Sequence, residues 1–279
     1  MICVVADPIP RTRTRGFDAR VAASARVYDY WLGGKDNFAA DRIAGEAAID
    51  VYPAIRFSAR ANRAFLTRTV SYLAGERGIR QFLDIGAGLP TACNTHEVAQ
   101  SIAPASRIVY VDNDPMVVCH AQALLSSAPQ GIAACVGADL RDTAAVLALA
   151  AEDLDFTRPV AVMLLAVLDH IPDLDQARRS VARLMAAVPA GSFLVISHAA
   201  SDIDPDEAAD MIGCLNQHLA ECNYIGRPRD VVARFFDGLE LVEPGVVKVT
   251  QWHPQSWMEA RGPASLWGGM ARQTGNLPG

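Results

Sequence analysis

Apolar positions along this chain follow two different spacings. Before about residue 80 they recur at helical intervals: residues 37–51 and 57–74 each read as a helix, and Phe65, Leu66, Val70 and Leu73 mark an apolar stripe. Beyond that point short, almost uninterrupted apolar runs take over. They are "QFLDI", "RIVYVD", "IAACV", "VAVMLLAV" and "SFLVISH", centred near Leu83, Tyr110, Ala134, Met163 and Leu194. Successive centres lie 27, 24, 29 and 31 residues apart, which suits repeated strand–helix–strand units of about 30 residues. Runs with no polar alternation imply strands buried on both faces. The pattern therefore predicts an α/β fold, a doubly wound and mostly parallel sheet covered by helices.

Local signals sharpen these elements. Asn94 with Glu97 reads as a capping box, and Asp114 followed by Pro115 reads as an N-cap with proline in the first helical position. Further helices are expected over 206–222 and 229–236. "GLELVEPGVVKVTQW" then gives a strand interrupted at Pro244-Gly245, and "SLWGGMARQ" a last strand, together suiting an antiparallel edge.

The candidate chemistry starts at "LDIGAGLPT", where the first of the apolar runs breaks into glycines. Gly86 and Gly88 fill the first two places of a G-x-G-x-x-G pattern, but Thr91 stands at the third. Glycines at a strand–helix corner permit unusual backbone angles and clear side chains from a ligand's path. Asp84 lies just before them inside an apolar strand, where a carboxylate is costly unless something satisfies it. Asp112 ends the next strand, 24 residues beyond Gly88, where an acidic side chain accepts hydrogen bonds from ribose hydroxyls in doubly wound folds. Asp139, in "GADL", falls at the same edge after the third strand and could take an adenine amino group, with the Leu140 amide donating to the ring. Each acid has a plainer reading too: Asp84 as a structural acceptor, Asp114 as a helix cap, Asp139 as a turn cap. A dinucleotide needs a seat for its pyrophosphate, and the third glycine serves close packing there. S-adenosylmethionine carries an ammonium and a sulfonium instead, so carboxylates beside the loop suit it better.

Composition narrows the class. A chain of 279 residues with 51% hydrophobic and 20% charged residues suits one large domain with a smaller appendage. The formal charge of −6 argues against a general nucleic-acid surface. The first 26 residues run the other way, with Arg11, Arg13, Arg15, Arg20 and Arg26 against Asp7 and Asp18, and read as a solvated basic arm. The longest apolar run, 159–168, is far short of the roughly 20 residues a membrane-spanning helix needs. "MICVVAD" meets an aspartate too early for a signal peptide. Six scattered cysteines without C-x-x-C or zinc spacing indicate reduced thiols and a cytoplasmic setting, and no metal site is expected.

"LDIGAG", "VYVDNDP" and "GADL" resemble the successive cofactor motifs of class I S-adenosylmethionine-dependent methyltransferases. More narrowly, "ARVYDYWLGGKDNFAADR", "ARANRAFLTR", "QFLDIGAGLPTACNTHEVAQ" and "VYVDNDPMVVCHAQALL" resemble an actinobacterial family of S-adenosyl methyltransferases once catalogued only as a domain of unknown function. The likeness runs from about Ala25 to the C-terminus. It implies a seven-stranded, Rossmann-like sheet with an N-terminal helical lid, divided as a disordered basic arm over 1–24, the lid over 25–78 and the methyltransferase domain over 79–279. By position it places Asp84, Gly86 and Gly88 along the methionine portion, Asp112 on the ribose, Asp139 and Leu140 at the adenine, and Ala166 beside the cofactor's amino group. Thr91 and Asn113 complete the cofactor-binding set, and S-adenosylhomocysteine is the implied product. Ser24 departs from the proline that the family pattern leads one to expect.

Methyl transfer is an in-line displacement at an activated carbon, so positioning supplies much of the rate, and a base is needed only when the acceptor must lose a proton. His170, after the fourth strand, and His198, after the fifth, lie at the ligand-binding edge and are the candidate catalytic groups; each could equally make a structural hydrogen bond. His96 either packs near the cofactor or faces solvent. The string "GGKDN" is difficult to explain by packing alone. It suggests a lid in which Tyr28, Gly33, Gly34, Lys35, Asp36 and Asn37 close over cofactor or acceptor with Arg63 reaching the same cleft; a plain connector is the alternative. Arg227 and Arg229, flanking Pro228, read as a surface turn, with a contact to an anionic acceptor as the alternative. The expected function is methyl transfer to oxygen or nitrogen of a small molecule, with no nucleic-acid or membrane partner; oligomeric state is left open. Two alternatives stand: a non-catalytic S-adenosylmethionine-binding regulator, and an NAD-dependent oxidoreductase.

Overall fold

The five apolar runs become five parallel strands. The structure is a computed structural model that describes residues 18–219 and 223–275. Ahead of the sheet lie α1 (Ser24–Leu32), α2 (Ala39–Val51) and α3 (Ile55–Gly75). Strands β1 (Gln81–Ile85), β2 (Arg107–Asp112), β3 (Ile132–Gly137), β4 (Ala161–Leu165) and β5 (Phe193–Ala199) then alternate with α4 (Thr95–Ile102), α5 (Pro115–Leu124), α6 (Thr143–Ala150) and α7 (Leu174–Ala186). The last part contains α8 (Pro205–His218), α9 (Arg229–Ala233), β6 (Glu240–Leu241), β7 (Val247–Lys248), α10 (Trp257–Ala260) and β8 (Leu266–Arg272).

The strand order is β3-β2-β1-β4-β5-β8-β6, and β7 also pairs with β8. Leu241 lies opposite Ala271 and Val247 opposite Gly268, so β6 and β7 are two halves of one edge strand broken at Pro244-Gly245. Eight segments thus fill seven positions, and the strands beyond β5 are antiparallel. The chain order reverses between β1 and β4, and the crevice outside their carboxyl ends is where doubly wound sheets bind ligands.

Helices cover both faces. Leu83, Ile85, Val109 and Leu164 join one buried cluster, while Phe82, Ile108, Met163 and Val195 join another with Phe65 and Leu73 of α3. This is why the strands read as continuous apolar runs: alternate residues serve opposite layers. A third cluster joins Val27, Trp31, Ala44, Ala48 and Ile55 of the N-terminal helices to Met211 and Leu215 of α8. The N-terminal helices are therefore anchored on α8 as well as on the sheet.

The start of α1 is set by distant groups. Its N-cap, Ala23, makes no side-chain cap, but its amide donates to Asp41 Oδ1 at 2.9 Å. Asp41 Oδ2 receives the Arg26 Nε at 2.8 Å in a buried ion pair. With that anchor the helix begins at Ser24 without a proline. Residues 1–17 of the expected basic arm lie outside the described residues; in the rest of it Ala22 bridges to Leu219, and α1 begins at Ser24. The helix expected over 206–222 ends at His218, and its last residues, 220–222, lie outside the described residues. The capping box is present, Asn94 N donating to Glu97 Oε2 at 2.8 Å, and Asp114 caps α5 through Met116 N at 2.8 Å.

Candidate functional site

The glycine corner is built by close backbone approach. Gly86 has φ +76°, and a Cβ there would fall 2.4 Å from Val167 Cγ2, so only glycine lets the loops after β1 and β4 meet. Its amide donates to Val111 O at 2.8 Å. Gly88, at φ +66°, faces open space. Ala166, just past β4, also has a positive φ of 51°, uncommon for a residue with a side chain, and its amide is held by Ser197 O at 3.0 Å. Thr91 donates its amide to Asn94 Oδ1 at 3.1 Å, fastening the loop to the start of α4.

The three acids stand along this edge in different electrostatic states. Asp84 is buried and accepts Thr95 Oγ1 at 2.6 Å; burial raises its carboxyl above the ordinary value, against the pull of Thr95 and Arg63. Asp112 is pushed up to about 6 by burial, opposed by the amides of Asp114 and Gly88. Asp139 is held low, chiefly by hydrogen bonding from the Arg141 side chain, and also receives Asn113 Nδ2 at 3.3 Å. Leu140 beside it is buried. Gly88, Asp112, Asn113 and Asp139 thus form one hydrogen-bonded chain running from β1 to β3.

The N-terminal string wraps a buried carboxylate. Asp29 Oδ2 accepts the amide of Asp36 at 3.0 Å and the side-chain amide of Asn37 at 2.9 Å. A Cβ on Gly34 would land 1.8 Å from Asp29 Oδ1, and Gly33 ends α1 with φ +85°. These contacts supply the packing reason that the sequence withheld for "GGKDN". The turn still reaches the carboxyl edge of the sheet, because Asp36 Oδ1 lies 3.9 Å from His120 Nε2 on α5, the helix that follows Asp112. Lys35 is exposed. Arg63 donates to Ala92 O, Cys93 O and Asn94 Oδ1 at 3.2, 3.0 and 3.3 Å, tying α3 to the glycine loop. Tyr28 donates to Ala59 O at 3.1 Å and accepts from Asn62 Nδ2 at 3.1 Å, while Asn62 Oδ1 accepts Ser197 Oγ at 2.7 Å.

The two histidines fall in different places. His170 lines a pocket enclosed by α1, α3, α8 and the ends of β5 and β8, together with Ala166, Tyr28 and Trp31. Its Nε2 lies 3.2 Å from Ser24 Oγ, and its buried Nδ1 has no hydrogen-bond partner. Burial lowers its basicity, outweighing the neighbouring Asp169 carboxylate. His198 is fully buried behind this wall, with Nδ1 2.9 Å from Asp169 Oδ1 and Nε2 2.7 Å from Arg227 Nη1. Arginine can only donate, so Nε2 accepts and Nδ1 carries the proton. Burial would raise the Asp169 carboxyl, but His198, His170 and the Ala199 amide together keep it below the usual range.

Arg227 corrects the sequence reading. It is buried rather than part of a surface turn, and it donates to Leu168 O at 3.1 Å and Ile171 O at 2.7 Å as well as to His198. Only the Pro228 neighbour suggested an exposed turn, and no local signal marks a distant carbonyl cluster. Arg229 lies beside Trp267 and donates to Val246 O at 2.6 Å. His96 is buried, its Nδ1 2.8 Å from Tyr110 OH. No cluster of metal ligands occurs among the described residues.

Among doubly wound folds, a sheet of seven positions with an antiparallel edge and an acid at each of the first three strand ends is the arrangement of class I S-adenosylmethionine-dependent methyltransferases. The residues fit that cofactor: Gly88, at positive φ, faces open space at the switch point, and carboxylates rather than cations stand beside it. The chain belongs to the S-adenosyl methyltransferase family, whose model matches residues 10–274. It is similar to a DUF574 family protein from Streptomyces avermitilis, at 43% identity and TM-score 0.88, covering 92% of this chain and 99% of that one. A candidate methyltransferase from Thermobifida fusca is 39% identical at TM-score 0.84, covering 91% and 96%. An O-methyltransferase family protein from Burkholderia thailandensis shares the fold at 16% identity and TM-score 0.51, covering 84% of this chain and 63% of that one. No curated relative matches the chain in sequence. Membership of a methyltransferase family answers both alternatives: the cofactor is S-adenosylmethionine, not NAD, and the protein is an enzyme. No helix among the described residues is long and apolar enough to cross a membrane.

Proposed function

We propose that this methyltransferase acts on oxygen or nitrogen of a small-molecule acceptor in the cytoplasm, with His170 as general base. The observation that carries this reading is the His170 Nδ1: a buried nitrogen with no partner, on a residue that lines a pocket shared with Ala166 just past β4. S-adenosylmethionine, when bound, supplies a methyl group on a positively charged sulfur. In this reading Asp84 faces the methionine portion, Gly88 clears its path, and Gly86 lets the loop beside it pack against Val167. Asp112 and Asn113 hold the ribose, and Asp139 and Leu140 meet the adenine once Asp139 yields part of its pairing with Arg141. Residues 25–78 serve as the lid over the domain that follows, with Tyr28 roofing the acceptor pocket and Arg63 holding the glycine loop. His198 positions Asp169 from behind rather than touching the acceptor.

A recessed pocket with no charged side chain among its described lining residues favours a small molecule over a protein or nucleic-acid acceptor, which would need an open groove. Calorimetry with S-adenosylmethionine, S-adenosylhomocysteine and NAD tests the cofactor assignment: binding of the first two and not the third is expected. His170→Ala is expected to keep that binding and lose at least a hundredfold in turnover, within the range general-base catalysis contributes. Unchanged turnover would remove His170 from the role.

A further inference from the structure

The pocket's walls say more about the acceptor than its existence does. None of the described residues lining it is Asp, Glu, Lys or Arg. A charged acceptor would lose its hydration there without a counter-charge, at a cost of several kcal/mol per ion even after relaxation. The surface presented is mostly aromatic and aliphatic, with Tyr28, Trp31, Tyr52 and Tyr224 beside Met211 and Leu215. Such walls suit the face of an aromatic ring.

Most polar atoms along the wall are already engaged. Tyr28 OH is held between Ala59 O and Asn62, and Ser58 Oγ receives the Ser265 amide at 3.2 Å. Tyr224 OH donates to Asp169 Oδ2 at 3.3 Å. Two buried atoms have no partner, His170 Nδ1 and Ser265 Oγ. A hydroxyl is both donor and acceptor, so Ser24 Oγ can take Nε2–H; in that tautomer Nδ1 presents a lone pair and calls for a donor on the ligand. Buried polar groups in folded proteins are nearly always paired, so two orphans in one pocket mark the places where a ligand's polar atoms belong.

We propose that the acceptor is a neutral hydroxylated aromatic of one or two rings, methylated on its phenolic oxygen, with that hydroxyl at His170 Nδ1. The inference rests on the methyltransferase reading above and adds the substrate class to it. An alkylamine would enter as a cation and find no carboxylate among the described lining residues. A phenolic hydroxyl loses its proton near pH 10, within reach of an imidazole base in a way an aliphatic alcohol is not. In the step, the phenol O–H bond breaks and its proton goes to His170 Nδ1. An oxygen electron pair forms the bond to the methyl carbon while the carbon–sulfur bond breaks, its pair staying on sulfur to leave neutral S-adenosylhomocysteine. The imidazolium then returns its proton to water. Ser265 Oγ is left to meet a second polar atom of the ring system.

The test is binding by calorimetry to the full chain loaded with S-adenosylhomocysteine at pH 7.5, using three probes that share one ring system: 2-naphthol, 2-naphthoate and (2-naphthylmethyl)ammonium. The expected result is 2-naphthol binding at least tenfold more tightly than either ion. In Met211→Arg, 2-naphthol affinity should fall at least tenfold while S-adenosylhomocysteine affinity stays unchanged; if both fall together, the comparison of probes in the unaltered protein decides. Equal or tighter binding of either ion, or no binding of 2-naphthol to the loaded protein, overturns the inference and leaves the cofactor reading intact. Failure of S-adenosylhomocysteine itself to bind would instead strike the reading on which the inference rests.

Discussion

Asp112 accepts the backbone amide of Gly88 through Oδ2 at 2.9 Å. One carboxylate therefore shapes the glycine loop and, in the proposed reading, also holds the ribose. Its second oxygen takes the amide of Asp114 at 2.9 Å, so the loop after β1 and the helix start after β2 are set by a single side chain.

That double duty makes cofactor affinity sensitive to acid. Burial holds the Asp112 carboxyl at about 6, and only the ionised form offers full acceptor capacity to ribose hydroxyls. As pH falls through that value the protonated fraction grows, and binding must then expel a proton. S-adenosylhomocysteine affinity is expected to be flat above about pH 7 and to weaken towards tenfold per unit below about pH 6. Calorimetry across this range checks it; Asp112→Asn should bind at least tenfold more weakly at pH 8 and lose most of the slope.

Gly86 is fixed by its neighbour Val167 as much as by its own φ of +76°. Gly86→Ala should destabilise the protein by about 2–4 kcal/mol, combining left-handed backbone strain with overpacking. Gly86→Ala with Val167→Ala relieves the clash but not the strain, so urea unfolding should show about half of the loss recovered beyond what Val167→Ala alone predicts. Strict additivity of the two changes would mean the contact is not what requires glycine.

Asn62 joins Tyr28 of α1 to Ser197 of β5. Replacing it by Ala leaves two buried hydroxyls short of a partner, at a cost of about 1–3 kcal/mol. Hydrogen exchange over residues 24–32 should quicken by at least tenfold, while the core strands keep their protection. Unchanged exchange there would show that α1 is secured by its apolar contacts alone.

Arg227 holds the segment after β4 from inside. Arg227→Met strands the carbonyls of Leu168 and Ile171 and the His198 nitrogen, and should cost about 3 kcal/mol. Since Arg227 touches no residue of the glycine corner, S-adenosylhomocysteine affinity should stay within about threefold while turnover falls. A variant as stable as the parent, measured by urea unfolding, would contradict this role.

The fold was largely legible in the sequence because its parallel strands are buried on both faces, which leaves a signal strong enough to survive without any partner information. The caps at Asn94 and Asp114 and the break at Pro244-Gly245 were legible for the same reason: each acts within a few residues. The corner could be read at Gly86, Gly88, Asp84 and Asp112 because spacing along the chain mirrors spacing across adjacent strands. The proposed acceptor pocket could not be read in this way. It is assembled from residues as far apart as Ser24 and Leu266, and no periodicity links them. Arg227 looked exposed because a charge beside a proline usually is, and its partners are carbonyls nearly sixty residues upstream. Asp29 escaped notice although it explains the glycines that follow it, since a helical aspartate resembles any solvated one.

The most direct measurement follows a labelled methyl group from S-adenosylmethionine into a heat-treated small-molecule extract of the host cells, with the purified enzyme and its His170→Ala variant. The expected result is label in a neutral, solvent-extractable aromatic product with the unaltered enzyme, reduced at least a hundredfold by His170→Ala at equal S-adenosylhomocysteine affinity. Label confined to charged or macromolecular products, or transfer that survives the loss of His170, would contradict it.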